Sequence, residues 1–351
     1  MPVDVGVVGG IDRAVIACRL VTVDGSPRWL EESAEAPDGV AGTFRHVEGA
    51  CVFHVPALGG GHRCAVHACL GHEALPASCQ HFPRVCLVDD RGVRVSLSHA
   101  CPTAAALLVD YDEPVTLVPG PPAVPDVAVP EGLDARGTLP PRLSERVLCD
   151  LDGLSAWEAH VVDTLAGPAA VPGTPEDVLA RLRADAEHLR AWRPAGDTLD
   201  AAVRALREAD RPSPPAARGT EADGVRRRLF DTARATCRAP WTWPAAPPDL
   251  ADADARWVEP AWADAADPIR RYLAARAFGA WQTYQADATR GLAGWLDLAL
   301  AVVRVECARA AAEAGRRLDR AALVTAVGAA DRLLLHYADG AALAGALAAR
   351  A

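Results

Sequence analysis

The chain has 351 residues, half of them apolar, and this length predicts two domains or one large domain with a smaller appendage. The formal net charge is −10, and all 36 basic residues are arginine, with no lysine and no asparagine anywhere. The negative charge argues against a general nucleic-acid-binding protein. The absence of lysine excludes Schiff-base and P-loop enzymes, and the absence of asparagine excludes N-glycosylation and Cys-His-Asn proteases.

The start of the chain, MPVDVGVVGG, lacks the basic residues and the long apolar stretch of a secretory signal peptide. The longest run without Asp, Glu or Arg, residues 95–109, contains His, Ser and Pro and is too short for a transmembrane helix. We therefore expect a cytoplasmic protein with no membrane partner. In that compartment the ten cysteines are not expected to form structural disulfides.

Three zones predict an α+β fold. Residues 1–112 read as a small Cys/His-rich metal-binding domain with a β-hairpin and short helices. Residues 113–145 contain eight prolines between Pro114 and Pro141, which predicts an extended linker or strap. Residues 146–351 read as a mostly α-helical domain.

The most informative feature is the concentration of cysteine and histidine in residues 46–101. This sixth of the chain holds six of the ten cysteines and seven of the ten histidines. Thiolates with imidazoles nearby are the ligand types of zinc and iron–sulfur centres. There is no C-x₂-C pair and no C-x₃-C-x₂-C run, so neither a zinc finger nor the usual radical S-adenosylmethionine motif is predicted.

A β-hairpin is predicted over residues 85–97, where two apolar strands flank a Gly-containing turn. Cys79 precedes the hairpin and Cys101 follows it, so the two ends of the hairpin can bring these cysteines together. Cys101 is followed by Pro102 and an apolar run, which predicts a helix with Cys101 at its N-terminus. Unpaired N–H groups and the helix dipole favour a thiolate at that position.

The C-terminal zone has helical periodicity in several segments. Thr174, Pro175 and the two acids after them predict a capped start for the first segment, and Asp267 with Pro268 predicts another start. The predicted helices cover residues 176–192, 198–209, 220–237, 268–290, 292–315 and 320–337.

Four pieces of the Cys-rich region resemble a known family. The pieces are GACVFH (49–54), HRCAVHACLG (62–71), LPASCQHFPR (75–84) and VSLSHACPTAAALL (95–108). They are similar to the cysteine-cluster family described as zinc- or iron-chelating, in its flagellin lysine-N-methylase-like branch, and their order and context match over about 60 residues. Two later pieces, RRYLAARAFGAW (270–281) and DRLLLHY (331–337), resemble the same branch.

The resemblance implies metal ligation by Cys51, Cys64, Cys79 and Cys101. It also implies that Arg84 lies in the wall of the site and binds the cofactor as a charge partner. The cofactor implied is a [4Fe–4S] cluster, with Zn²⁺ as the alternative. The branch name further implies transfer of methyl groups to a protein lysine, with a protein as substrate.

Other residues of the region match the family pattern less well. Cys86 alternates with apolar residues on a strand, which favours packing, and for Cys69 packing is favoured over ligation. His67 lies one helical turn after a matched cysteine and is the best alternative ligand. Family members carry a denser cysteine segment upstream that includes an adjacent Cys-Cys, whereas this chain has only Cys18 there.

Two functions follow from these observations. The first is a metal-binding cysteine-cluster protein that holds a [4Fe–4S] cluster and resembles a protein-lysine N-methyltransferase. No Gly-rich S-adenosylmethionine-binding loop, general base or catalytic residue is recognisable in the sequence. The alternative is a non-enzymatic module whose four cysteines bind Zn²⁺ for structural purposes only. Metal identity and stoichiometry separate these two predictions, and the sequence leaves the oligomeric state open.

Overall fold

A computed structural model of the protein describes residues 2–4, 30–31, 40–47, 50–56, 62–120, 132–209, 216, 219–239 and 241–348. The fold is α+β, with about 60% helix, small sheets and a mostly helical C-terminal region, and this coarse class agrees with the sequence prediction. The chain divides into two compact units. The first unit is Met1–Phe82 with Val124–Glu131, and the second unit is Pro83–Ala123 with Gly132–Ala351.

The described residues of the first unit form short strands and two short helices. The strands are β1 Pro2–Asp4, β2 Leu30–Glu31, β3 Val40–Phe44, β4 His46–Val47, β5 Ala50–Cys51, β6 His54–Pro56 and β7 His62–Cys64. The helices are α1 Ala65–Leu70 and α2 Ala77–His81, with a 3₁₀ turn at His72–Ala74 between them. All pairings are antiparallel: β3 lies between β1 and β2, β4 pairs with β5, and β6 pairs with β7.

The described part of the first unit has a small apolar core. The rings of Phe44 and Phe53 meet edge to face with centroids 5.1 Å apart, a favourable aromatic geometry. Ala65 and Val66 from the first turn of α1 complete this core together with Leu75. The core therefore ties the turn after β5 to the start of α1.

The second unit begins with the predicted hairpin. Its strands are β8 Arg84–Asp89, β9 Gly92–Leu97, β10 Gly132–Asp134, β11 Arg142–Ser144 and β12 Val147–Leu148. β8 is central in a three-stranded sheet, antiparallel to β9 and parallel to β10, while β11 pairs with β12. Gly132 has a φ of +140°, and a Cβ on it would lie 1.8 Å from the carbonyl oxygen of Cys86. Only glycine fits where β10 approaches β8 so closely.

Most of the other described residues of the second unit are helical. The helices are α3 Pro102–Asp110, α4 Leu151–Ala166, α5 Pro175–Arg190, α6 Leu199–Glu208, α7 Thr220–Ala235, α8 Leu250–Ala253, α9 Trp262–Ala277, α10 Gln282–Gln285, α11 Ala288–Ala314, α12 Arg320–Asp331 and α13 Gly340–Ala348. π-helical turns occur at Asp254–Val258 and Arg332–Tyr337, with a 3₁₀ turn at Glu259–Ala261. The 27-residue α11 is the central helix and packs against α5, α7, α8, α9, α10, α12 and α13. It is therefore apolar on most of its faces.

Helix boundaries show where local sequence signals were sufficient and where they were not. The capping box before α5 is present: the Asp177 N–H donates to Thr174 Oγ1 at 3.2 Å, and the Thr174 N–H donates back to Asp177. The predicted helix start at Pro268 is wrong, because Pro268 lies inside α9. Trp262 and Ala265 are buried, so core packing extends the helix ahead of the proline despite one lost backbone hydrogen bond.

The division into units differs from the predicted boundary at residue 112. The hairpin and α3 belong to the second unit. Two kinds of contact explain this: β8 pairs with β10, and Arg94 Nε on β9 donates to Glu158 Oε2 of α4 at 2.9 Å. The predicted strap, 113–145, includes the short strands β10 and β11, and its residues 121–131 lie outside the described residues.

Candidate functional site

Three of the four predicted metal ligands lie in the first unit. Cys51 ends β5, Cys64 ends β7 and directly precedes α1, and Cys79 lies on α2. All three are half-buried and outside any disulfide, and each packs against the core formed around Phe44 and Phe53. All three cysteines therefore pack against the same small apolar core.

The structure brings Cys51 and Cys64 close together. The Ala65 N–H donates to the carbonyl oxygen of Phe53 at 2.8 Å, which joins the start of α1 to the turn that follows Cys51. Burial raises the pKa of the Cys51 thiol, and a neighbouring Cys64 thiolate raises this pKa further by like-charge repulsion. The Phe53 N–H donates to the Cys51 sulfur and acts in the opposite direction, toward the thiolate.

The two thiols of Cys51 and Cys64 are ligands of the chemical type that binds a soft cation. Two thiolates at the edge of an apolar core repel each other, and a bound cation would remove that repulsion. An N–H donor to a ligating sulfur is a usual feature of iron–sulfur and zinc sites. Within the described ranges, however, no three His, Cys, Asp or Glu residues are gathered in a geometry that could hold a metal ion. The structure thus assembles a pair of donors, and Cys79 shares their core.

The other two predicted site residues belong to the second unit. Cys101 precedes α3 in an extended conformation, with Pro102 in the first turn, as the sequence predicted. Its thiol is free and half-buried. Arg84 begins β8, opposite Leu97 of β9, and is half-buried.

The remaining cysteines divide by environment. Cys86 is 1% exposed on β8, in line with the expected packing role. The expectation that no cysteine forms a disulfide is wrong for Cys69, which is exposed on α1 and disulfide-bonded. Cys18 lies outside the described residues. His67 is exposed, with its ring 6.2 Å from that of His72. Three scattered cysteines are free and buried or half-buried, as expected for structural residues: Cys149, Cys237 and Cys307.

A buried polar network next to Cys101 was missed by the sequence reasoning. The fully buried Asp331 carboxylate accepts the His99 backbone N–H at 2.6 Å, the His99 Nδ1–H at 3.0 Å and the Tyr272 hydroxyl at 2.9 Å. Arg276 Nη1 lies 3.6 Å from the same carboxylate. Because a carboxylate only accepts, His99 must carry its proton on Nδ1.

The network keeps its carboxylate charged. Burial alone would raise the pKa of Asp331, but the Arg276 guanidinium and the His99 hydrogen bonds lower it to about 2. Burial lowers the pKa of His99 and raises that of Tyr272, so both are neutral near pH 7. Three segments far apart in the chain, VSLSHACP, RRYLAARAF and DRLLLHY, meet in this network.

Comparison of the chain with protein-family models, with curated proteins and with solved structures found no match. In the part of the chain that the structure describes, no helix has both the length and the apolar composition needed to cross a membrane. What the residues define is therefore a thiol pair on a small core in the first unit, and a cysteine at a helix start in a helical second unit.

Proposed function

We propose that the protein is a metal-binding cysteine-cluster protein that holds a [4Fe–4S] cluster through Cys51, Cys64, Cys79 and Cys101. Four thiolates are the usual ligand set of such a cluster. The inclusion of Cys101 and the role of Arg84 as a charge partner rest on the sequence pattern alone.

The observation that carries the proposal is the Cys51–Cys64 pair. The two thiols are neighbours at the edge of an apolar core, and one of them already accepts a backbone N–H. The raised pKa keeps Cys51 a neutral thiol until a cation binds, and the bound cation then offsets the repulsion between the two thiolates. Binding of a cation by the two neighbouring sulfurs would therefore be favourable.

When bound, a [4Fe–4S] cluster supplies one-electron transfer at a potential set by hydrogen bonds to its sulfurs and by burial. The chain's own residues hold it: the Phe53 N–H stabilises the Cys51 thiolate, and the apolar core limits the access of water to the sulfurs. Transfer of methyl groups to a protein lysine is a further part of this proposal that rests on the resemblance alone.

The test is metal analysis of protein purified without oxygen. We expect about four iron and four sulfide per chain, and loss of most of both in Cys51→Ser and Cys64→Ser. Cys237→Ser is the matched control, since this half-buried thiol lies in the second unit and should leave the metal content unchanged. Folded protein that contains no metal, or equal metal content in all three variants, overturns the proposal.

The second candidate is a structural Zn²⁺ module. The observation that favours it is the small size of the described core of the first unit, since small cores are commonly stabilised by a closed four-ligand zinc site. One zinc per chain, without iron, sulfide or visible absorption, would select this function. Cys79→Ser would then lower the thermal midpoint, and an unchanged midpoint and zinc content would exclude Cys79 as a ligand.

A further inference from the structure

The turn that carries Cys101 is fixed by its own backbone hydrogen bonds. The Ser98 N–H donates to the carbonyl oxygen of Pro83 at 2.7 Å, and the Cys101 N–H donates to the carbonyl oxygen of Ser98 at 3.3 Å. Ser98 and His99 are buried, whereas Cys101 is half-buried. The interior of the turn is thus anchored in the second unit while its last residue stays partly accessible.

The Asp331 carboxylate is hydrogen-bonded to this turn on its buried side. Two of its three hydrogen bonds come from His99, one from the backbone and one from the ring, and His99 is two residues before Cys101. A buried carboxylate that loses its donors carries a large desolvation cost. Any displacement of the turn would break these bonds, so the carboxylate opposes displacement strongly.

The same segment of the chain holds the turn at two more points. Ser98 Oγ lies 2.8 Å from His336 Nε2, which is one π-helical turn beyond Asp331. On the preceding turn of α12, Gly328 lies so close to the turn that a Cβ would approach the carbonyl oxygen of His99 to 3.2 Å. α12 and its π-helical extension therefore contact two successive residues of the turn.

We propose that Asp331 is a positioning residue whose carboxylate, acting through His99, fixes the Ser98–Cys101 turn and thereby the direction of the Cys101 thiol. The inference rests on the proposed function, in which the Cys101 thiol is one ligand of the metal and must point toward it in a defined orientation. Tyr272 and Arg276 support the carboxylate from α9. The Tyr272 ring also packs edge to face against the His99 ring, with centroids 5.7 Å apart, and a phenylalanine at this position keeps that contact. The role is orientation of a ligand by residues behind it.

The experiment measures the alkylation rate of Cys101 in metal-free, full-length protein, by mass spectrometry of its peptide. Tyr272→Phe removes one hydrogen bond to Asp331 and no charge, and we expect about fivefold faster alkylation of Cys101. Asp331→Asn should give a larger increase. The matched control is Asp185→Asn, because Asp185 and His160 form a second buried pair at 3.0 Å in the same unit, away from the cysteine turn.

The alkylation result separates a positioning role from general destabilisation. An equal increase in Asp185→Asn and Asp331→Asn, or a Cys101 rate within twofold of the unmodified protein in folded Tyr272→Phe, overturns the proposal. If Asp331→Asn does not fold, Tyr272→Phe decides alone.

Cobalt titration of the same variants provides a spectroscopic readout. Weaker thiolate-to-cobalt absorption is expected in Tyr272→Phe than in Asp185→Asn. If neither the unmodified protein nor any variant binds cobalt, zinc or iron, the proposed function is wrong. The alkylation result still decides whether Asp331 is a positioning residue.

Discussion

At the scale of single residues, positions fixed by distant partners were the hardest to foresee. The role of Cys101 at a helix start was predictable, because Pro102 follows it directly in the sequence. The role of Asp331 was not, because its donors on His99 and Tyr272 are 232 and 59 residues away along the chain. Local patterns report on neighbours in sequence, whereas a buried carboxylate is defined by partners that only the fold brings together.

Gly132 offers a direct test of backbone packing. In Gly132→Ala the new Cβ would collide with the Cys86 carbonyl at a positive φ, so we expect a loss of about 3 kcal/mol or more in the free energy of unfolding. Gly137→Ala is the control: its φ is +70° with no atom within 4 Å, so only the strain of about 1 kcal/mol applies. Urea unfolding of both variants measures this, and equal losses would contradict the predicted collision.

Asp331 predicts a specific dependence of stability on acid. Its pKa is about 2 in the folded chain against 3.8 ordinarily, so the carboxylate stabilises the fold fully above about pH 4. This contribution, about 2 kcal/mol, is lost as the pH falls from about 4 to 2. Unfolding free energies of Asp331→Asn should vary less over that window than those of the unmodified protein. Parallel curves for the two proteins would show that Asp331 is not the group responsible.

At the scale of elements, helix starts with a local chemical signal were predicted well. The α5 start was placed by Thr174, Pro175 and two acids, and the hairpin by its turn. The start of α9 was not, because the burial of Trp262 overrides the proline signal six residues later. The α4 helix was not singled out, although Asp150 accepts the Gly153 N–H at 2.6 Å and caps it. A local start signal was therefore missed at α4, and at α9 tertiary packing overrode it.

Thr174→Ala tests the capping box. It removes the acceptor for the Asp177 N–H, and we expect a loss of about 1 kcal/mol in the free energy of unfolding. Thr325→Ala, at an exposed position inside α12, is the control and should change stability by no more than about 0.5 kcal/mol. The measurement is the midpoint of urea unfolding at constant slope, and a neutral Thr174→Ala would mean that the cap contributes nothing to the fold.

At the scale of the whole molecule, the two units have cores of very different size. The described core of the first unit has five buried apolar residues, whereas the second unit is organised around the 27-residue α11. A small core leaves little free energy to oppose chain entropy. Dependence on a bound metal is therefore expected to be concentrated in the first unit.

Metal removal should affect the two units differently. Treatment with a chelator is expected to raise amide hydrogen exchange in residues 62–82, which carry Cys64 and Cys79. Residues 288–314 of α11 should stay protected, because they are buried by seven neighbouring helices. Hydrogen-exchange mass spectrometry before and after chelation makes the comparison. A uniform increase along the chain, or none, would argue against a metal that stabilises the first unit.

The π-helical turn at Arg332–Tyr337 constrains the number of residues that the chain can have between Asp331 and His336. Here a backbone bond spans five residues, from the Ala338 N–H to the Leu333 carbonyl at 2.8 Å. Residues five apart face similar directions in such a turn, whereas in an α-helix they diverge, so the extra residue lets both Asp331 and His336 face the cysteine turn. Among descendants of this sequence, substitutions at the exposed Arg332 should be tolerated, while gain or loss of one residue between 331 and 336 should be eliminated by selection.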